Sequence, residues 1–208
     1  MNAGISGLAL QRAAAEGRKA LVAYYPVGYP DVPGSLDVLR ALCGEGDEPG
    51  ADLIEIGLPY SDPVMDGVVI QRAGTRALER GVRTCDVFAA VETVASTGTT
   101  PVVMTYWNLV DRYGVDAFAR DLRSAGGAGL ITPDLVARIR ALAPEVLVGV
   151  GLGISNGDQA AAVAQFADAA IVGSAFVKQV LNAEEAGDAS DLTGLRTLLS
   201  DLVAGVRR

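Results

Sequence analysis

Apolar residues along this chain fall into two alternating rhythms. Short runs that are apolar on both faces recur at 21–27, 52–58, 101–107, 129–132, 145–150 and 169–172, the pattern of strands buried on both sides. Between them, 34–43, 85–95, 115–123, 136–142 and 158–166 repeat apolar side chains at helical spacing, and 192–206 closes the chain in the same way. Such strands, separated by helices, predict a parallel sheet covered by helices: either a doubly wound sheet or a closed (β/α) barrel. An opening segment, Ile5–Ala15, has Ile5, Leu8 and Ala13 at helical intervals and is expected to cap one end of a barrel. The turn-rich, acidic stretches 44–50 and 182–191 read as surface loops. Neither divides the chain, so a single domain over 1–208 is expected.

Composition narrows the chemistry. With 208 residues, half of them hydrophobic, the chain can fill a substantial core. The net charge of −8 and the absence of any Lys/Arg run leave nothing to neutralise a nucleic-acid backbone or an anionic membrane surface. No stretch reaches the ~18 apolar residues of a membrane span, and no basic region precedes the first apolar residues, so a cytoplasmic protein is expected. There is no histidine, and Cys43 and Cys85 stand apart. Most zinc and haem sites and the Ser-His and Cys-His nucleophiles are thereby excluded, and no metal is expected. Acid–base work falls to carboxylates, Tyr or Lys.

One carboxylate is conspicuous. In LIEIGLPYSDPVMDG (residues 53–67) the alternation of a strand puts Leu53, Glu55 and Gly57 on one face and Ile54, Ile56 and Leu58 on the other. The Ile/Leu face must pack on helices, which turns Glu55 into the barrel. There a low dielectric raises a carboxyl pKa towards neutrality and suits it to give and take a proton; pairing with an interior Arg is the structural alternative. Asp66 follows in the loop beyond the strand's C-terminal end, the catalytic face of such barrels, with Gly67 allowing a sharp turn. Asp66-Gly67 and Asp62-Pro63 are also ordinary turn chemistry.

Near the C-terminus, VGVGLGIS (148–155) and IVGSAF (171–176) each mark a strand giving way to a helix. Backbone N–H groups at Gly153, Gly173 and Ser174 can converge there on an anion, as the loops after the last two strands of a (β/α) barrel commonly do. Gly149, Gly151 and Gly153 do not form G-x-G-x-x-G, and no Walker A lysine motif occurs, so a small phosphorylated metabolite fits better than a nucleotide.

LIEIGLPYSDPVMDG, taken with AYYPVGYPD (23–31), MTYWNLV (104–110), GLGIS (151–155) and VGSAFVK (172–178), resembles the tryptophan synthase alpha subunit family in chain order and spacing. The resemblance implies a TIM-type (β/α)8 barrel and a lyase of tryptophan biosynthesis that splits indole-3-glycerol phosphate by a retro-aldol reaction. The products are indole and glyceraldehyde 3-phosphate. It implies that Glu55 shuttles protons, that Asp66 hydrogen-bonds the indole N–H, and that Gly153, Gly173 and Ser174 hold the phosphate. Tyr24 and Tyr106 match positions near the indole pocket. No cofactor is implied for this chain. Its partner would be a pyridoxal-phosphate beta subunit in an alpha2beta2 assembly, faced by Pro59, Asp62 and Asn108. Trp107 suits barrel packing or interface duty.

The resemblance also exposes a gap. The family has eight strands, and this chain shows six. GLITPDL (129–135) runs directly into VARIRALAPEVLVGVGLG, which matches the helix before strand seven and that strand. Strands five and six are missing at 135/136, on the order of 60 residues at ~30 per βα unit. With them goes the Gly/Thr-rich loop that covers substrate in the family. Omitted residues, a deletion or a defective copy would each produce this pattern. An impaired chain that only activates a beta subunit, and another phosphate-binding barrel enzyme, are the alternatives in function.

Overall fold

The computed structural model describes residues 4–44, 46, 48–63, 66–131, 149–150, 154–165 and 169–207. Six strands, β1 (Ala20–Pro26), β2 (Leu53–Gly57), β3 (Thr100–Met104), β4 (Gly129–Ile131), β5 (Gly149–Val150) and β6 (Ala169–Val172), form one sheet with parallel pairings throughout. Their spatial order is β4-β3-β2-β1-β6-β5. Read around a ring, this is chain order, with the first and last strands side by side. A doubly wound sheet instead reverses beside its first strand and seats a middle strand there. The winding is therefore that of a barrel. Among the described residues β4 and β5 share no ladder.

Nine helices are described: α1 (Ile5–Ala15), α2 (Val32–Leu42), α3 (Val68–Glu79), α4 (Asp86–Ser96), α5 (Trp107–Tyr113), α6 (Val115–Ser124), α7 (Gly157–Ala164), α8 (Ser174–Glu185) and α9 (Thr193–Val206). None of them is long and apolar enough to cross a membrane. The start of α2 shows the local logic: Asp31 accepts a 2.7 Å hydrogen bond from the Gly34 N–H, and Pro33 needs no donor in the first turn.

Two expectations are corrected, and one helix was not among those expected. The third strand stops at Met104 rather than 107, because Tyr106 already caps α5 and Trp107 opens it. Residues 182–185 are the last turn of α8, not loop. Helix α3, which no apolar stripe announces, buries only the small residues Ala73, Gly74 and Ala77. The predicted helix 136–142, most of strand 145–150 and the 135/136 junction lie outside the described residues.

The two faces of the sheet have different company. Ile54, Ile56 and Leu58 join Leu21, Tyr25 and Val103 in the large core beneath the helices. On the other face Val22, Leu53, Val102 and Ala169 form a second, smaller cluster with Ala13 of α1, so α1 does plug one end of the ring. That end is also tied electrostatically. Arg18 grips Asp52 through two hydrogen bonds of 2.8 and 2.6 Å, and the same carboxylate accepts the Leu21 N–H at 2.9 Å. Planar guanidinium and carboxylate match in such a fork, so the turn after α1 is locked to the start of β2.

Candidate active site

Parallel pairing stacks inward residues in layers, and the layers place the site. Val22 stands beside Leu53 above the α1 floor; one layer up, Tyr24 stands beside Glu55, which in turn neighbours Val102. The cleft opens above them. It has a volume of about 210 Å3, and Tyr24, Glu55, Asp66, Gly67, Gly173 and Ser174 line it. Met104, Ile70, Ile154 and Ile171 add apolar walls. Residues from distant parts of the chain thus meet where the strands end.

Glu55 is 6% exposed. Burial raises its carboxyl from 4.5 to about 7, since the charged form loses its water without gaining a comparable partner. Among the described residues no ion pair involves it, so the structural alternative of an interior Arg partner finds no support. Asp66 is half-buried, and burial raises its carboxyl as well. Its backbone is fastened to the helix it precedes: Gln71 Nε2 donates to the Asp66 carbonyl at 2.8 Å.

Tyr24 stays protonated. Burial, then the nearby Asp66 and Glu55, push its phenol well above 10, so it faces the cleft as a hydroxyl. Two glycines make room for its ring. A Cβ on Gly57 would overlap the Tyr24 hydroxyl, and one on Gly173 would come within 2.9 Å of the ring.

The two late glycine turns differ. At the start of α7, Asn156 Oδ1 accepts from Gln159 N at 2.9 Å and Asp201 Oδ2, from α9, accepts from Gly157 N at 2.6 Å, so side chains occupy two of the first-turn donors. At the start of α8 no side chain caps the helix. Phe176 and Val177 donate back to the Gly173 carbonyl, which leaves Ser174 and Ala175 among the first-turn N–H groups that a helix cannot satisfy internally. They stand at the positive end of a 12-residue helix, and Ser174 lines the cleft. Gly153 lies outside the described residues; Ile154, next to it, lines the cleft.

Tyr106 does not line the cleft. Its ring stacks on Tyr60, 4.5 Å between centroids, and it is near enough to act electrostatically on Tyr24. Tyr60 in turn accepts a 3.0 Å hydrogen bond from Asn108 Nδ2. The 59–62 loop and the start of α5 therefore share one surface, on which Asp62 is exposed and accepts from Ser61 at 2.7 Å. The apolar walls went unremarked in the sequence. Period-two alternation could have found Met104 and Ile171, which share the inward face with Val102 and Gly173. Ile70 had no such signal, because α3 itself was not anticipated.

A larger groove of about 560 Å3 borders β4, lined by Ile5, Trp107, Val115, Phe118 and Leu130 among others. Its only charged lining residue among those described is Arg123. Among the described residues it offers no carboxylate for proton transfer.

Comparison with known proteins follows the same outline. The family model "Tryptophan synthase alpha chain" matches residues 10–138 and 134–204. The tryptophan synthase alpha chain of Acidothermus cellulolyticus is 40% identical over 266 residues, covering 97% of each chain; that of Salinispora tropica is 41% identical with the same coverage. Among solved structures, a tryptophan synthase of Mycobacterium tuberculosis superposes with a TM-score of 0.86 at 37% identity, covering all of both chains. The tryptophan synthase subunit alpha of Legionella pneumophila gives 0.85 at 26% identity, covering 99% of each. The 266 aligned positions exceed the 208 residues of this chain, so these relatives carry residues it lacks.

Proposed function

The chain belongs to the tryptophan synthase alpha chain family, and from that premise we propose that it is a lyase that cleaves indole-3-glycerol phosphate to indole and glyceraldehyde 3-phosphate. Its fold is a shortened (β/α) barrel. In the reaction, protonated Glu55 delivers its proton to indole C3, and positive charge develops on the ring nitrogen as the indolenine forms. Asp66 accepts the hydrogen bond of the ring N–H and stabilises that charge. The Glu55 carboxylate then takes the proton of the hydroxyl on the carbon attached to C3. The C3–C bond breaks, its electron pair returns to the ring, and that hydroxyl carbon becomes the aldehyde. Glu55 ends protonated as it began, so one group serves as acid and base, for which a pKa near 7 is suited.

The observation that carries this reading is the meeting in one cleft of a buried carboxyl raised to about 7, a second carboxylate and an uncapped helix start. Met104, Ile70, Ile154 and Ile171 supply the apolar walls an indole ring needs. Tyr24 bounds the ring end, and Gly173 and Ser174, with Gly153, hold the phosphate; Tyr106 stands behind Tyr60 and shapes the rim. The test is direct: purified chain incubated with indole-3-glycerol phosphate, with indole release followed over time. No release, with turnover of a different sugar phosphate, would overturn the reading.

We further propose a beta subunit as partner, met by Pro59, Asp62 and Asn108. The Asn108–Tyr60 hydrogen bond supports this by joining the two segments into one surface. Stimulation of a beta subunit on mixing, lost on replacing Asn108, would bear it out. The chain is read as one domain that lacks two βα units near 135/136. Support comes from the family match, which breaks and resumes at 134–138. An intact mass of 21.4 kDa fits this reading; a larger mass by about 60 residues, two units of ~30 each, would refute it.

A further inference from the structure

We propose that Glu184 is a positioning residue that sets the span of the cleft between its Asp66 edge and its Ser174 edge, an inference that rests on the lyase reading above. Helix α3 leaves the cleft directly after Asp66, with Gly67 and Ile70 still on the lining, and α8 leaves it from Gly173 and Ser174. A substrate held by its ring at one edge and its phosphoryl group at the other experiences the relation between these two helices as its own length.

Beyond the cleft the two helices are joined through one carboxylate. Glu184, in the last turn of α8, accepts from Arg80 Nη2 of the turn ending α3 at 2.8 Å and from Arg76 Nη1 of α3. It also accepts the Tyr29 hydroxyl at 2.6 Å. Tyr29 is fully buried in the β1–α2 loop, and that loop is held in turn: Tyr25 donates to the Tyr29 carbonyl at 3.0 Å, and Arg80 Nη1 donates to the Pro30 carbonyl. Arg72 and Glu185 add a parallel pair between the same helices. Glu184 is thus the carboxylate at which α3, α8 and the loop all meet.

Isolated surface ion pairs contribute little, but a networked carboxylate with several of its acceptor positions filled is a different case. The Glu184 side chain is 20% exposed, so water replaces these donors poorly. Its tyrosine and arginine partners outweigh the cost of burial and hold the carboxyl below its usual range. It remains a fixed anion at neutral pH. Glu184 does not line the cleft, so it acts only through the helices it ties.

Positioning predicts a dissociation between ligands, which bulk loosening does not. Two probes separate the cases: glycerol 3-phosphate, which engages the Ser174 edge alone, and an uncleavable indole joined to a phosphate through a plain three-carbon chain, which engages both edges. In Glu184→Gln the spanning probe is expected to bind about 10-fold more weakly and kcat to fall by a similar factor, as a displacement short of the ~1 Å that costs about 100-fold would give. Glycerol 3-phosphate should bind within about twofold of wild type, because each edge taken alone is intact. Tyr29→Phe, which removes a single donor and keeps the buried ring, is expected to reproduce the split at smaller amplitude, and it serves if Glu184→Gln does not fold. Equal weakening of both probes, or no change in either, overturns the proposal. A wild-type chain that binds neither probe and releases no indole overturns the lyase reading, and this proposal with it.

Discussion

Replacing Glu55 by Gln keeps the shape of the side chain and removes an ionisation that burial opposes. In the unfolded chain this carboxyl gives up its proton near 4.5; in the folded protein it holds the proton to about 7. Between those values the native state binds more protons than the unfolded one, so stability falls as pH rises through the window. The contribution is fully present below 4.5 and gone above about 7. A displacement of roughly 2.5 pH units at about 1.4 kcal/mol per unit comes to about 3–4 kcal/mol. Gln never ionises and escapes this loss. The stability of the Gln variant minus that of wild type should therefore rise by about 3–4 kcal/mol from roughly pH 4 to roughly pH 8.5. Urea unfolding of both proteins across that range, with slopes compared at each pH, measures the difference directly. A difference that stays flat, or falls, would refute the claim that Glu55 ionises against the protein's own interior. The same variant should release no indole at any pH while still binding substrate, which makes the stability given up by wild type the cost of its proton shuttle.

Other substitutions probe other parts of the site. Asp66→Asn should lower kcat on the order of 100-fold, the usual loss when a group that meets developing charge is removed; because Asp66 is only half-buried, the melting temperature should barely move, and a large drop would reassign it to structure. Gly173→Val pushes a side chain against the Tyr24 ring and beside the phosphate edge, so KM should rise about 10-fold or more with a smaller change in kcat, as for binding shared by ground and transition states. Unaltered KM would count against the phosphate site. Asp201→Ala uncaps α7 at Gly157 and should cost about 1–2 kcal/mol in chemical denaturation. Turnover by wild type should fall as pH rises through about 7, where Glu55 loses the proton that its first step delivers; a profile flat through that region would remove Glu55 from the acid–base step.

Some features were legible because they depend on neighbours along the chain. The alternation in 53–58 announced both faces of β2, and the inward turn of Glu55 followed from the need to bury Ile54, Ile56 and Leu58 under helices. The α1 plug was likewise visible in its helical spacing. Helix α3 was not, because its fully buried positions Ala73, Gly74 and Ala77 are small, and the larger Val69 and Ile70 that also reach the core lie only in its first turn. Thr105, Tyr106 and Trp107 are good strand formers and extend the strand pattern past Met104, yet Tyr106 takes the cap of α5.

By itself the sequence determined the alternation of strands and helices, the face of β2 that carries Glu55, and the family motifs around Asp66, Gly173 and Ser174. Tertiary structure decided the rest. It selected barrel winding over a doubly wound sheet through the pairing of β1 with β6, and it distinguished the two glycine turns by filling the start of α7 with Asp201. It also decided the end of α8. Glu184 and Glu185 lie at the negative end of a helix, where acids are unfavourable and read as loop. Arg72, Arg76 and Arg80, over a hundred residues earlier in the chain, supply the opposite charge. Local pattern carries what a residue requires of its neighbours in sequence. Charges and cavities that form between distant segments exist only once the chain has folded to bring them together.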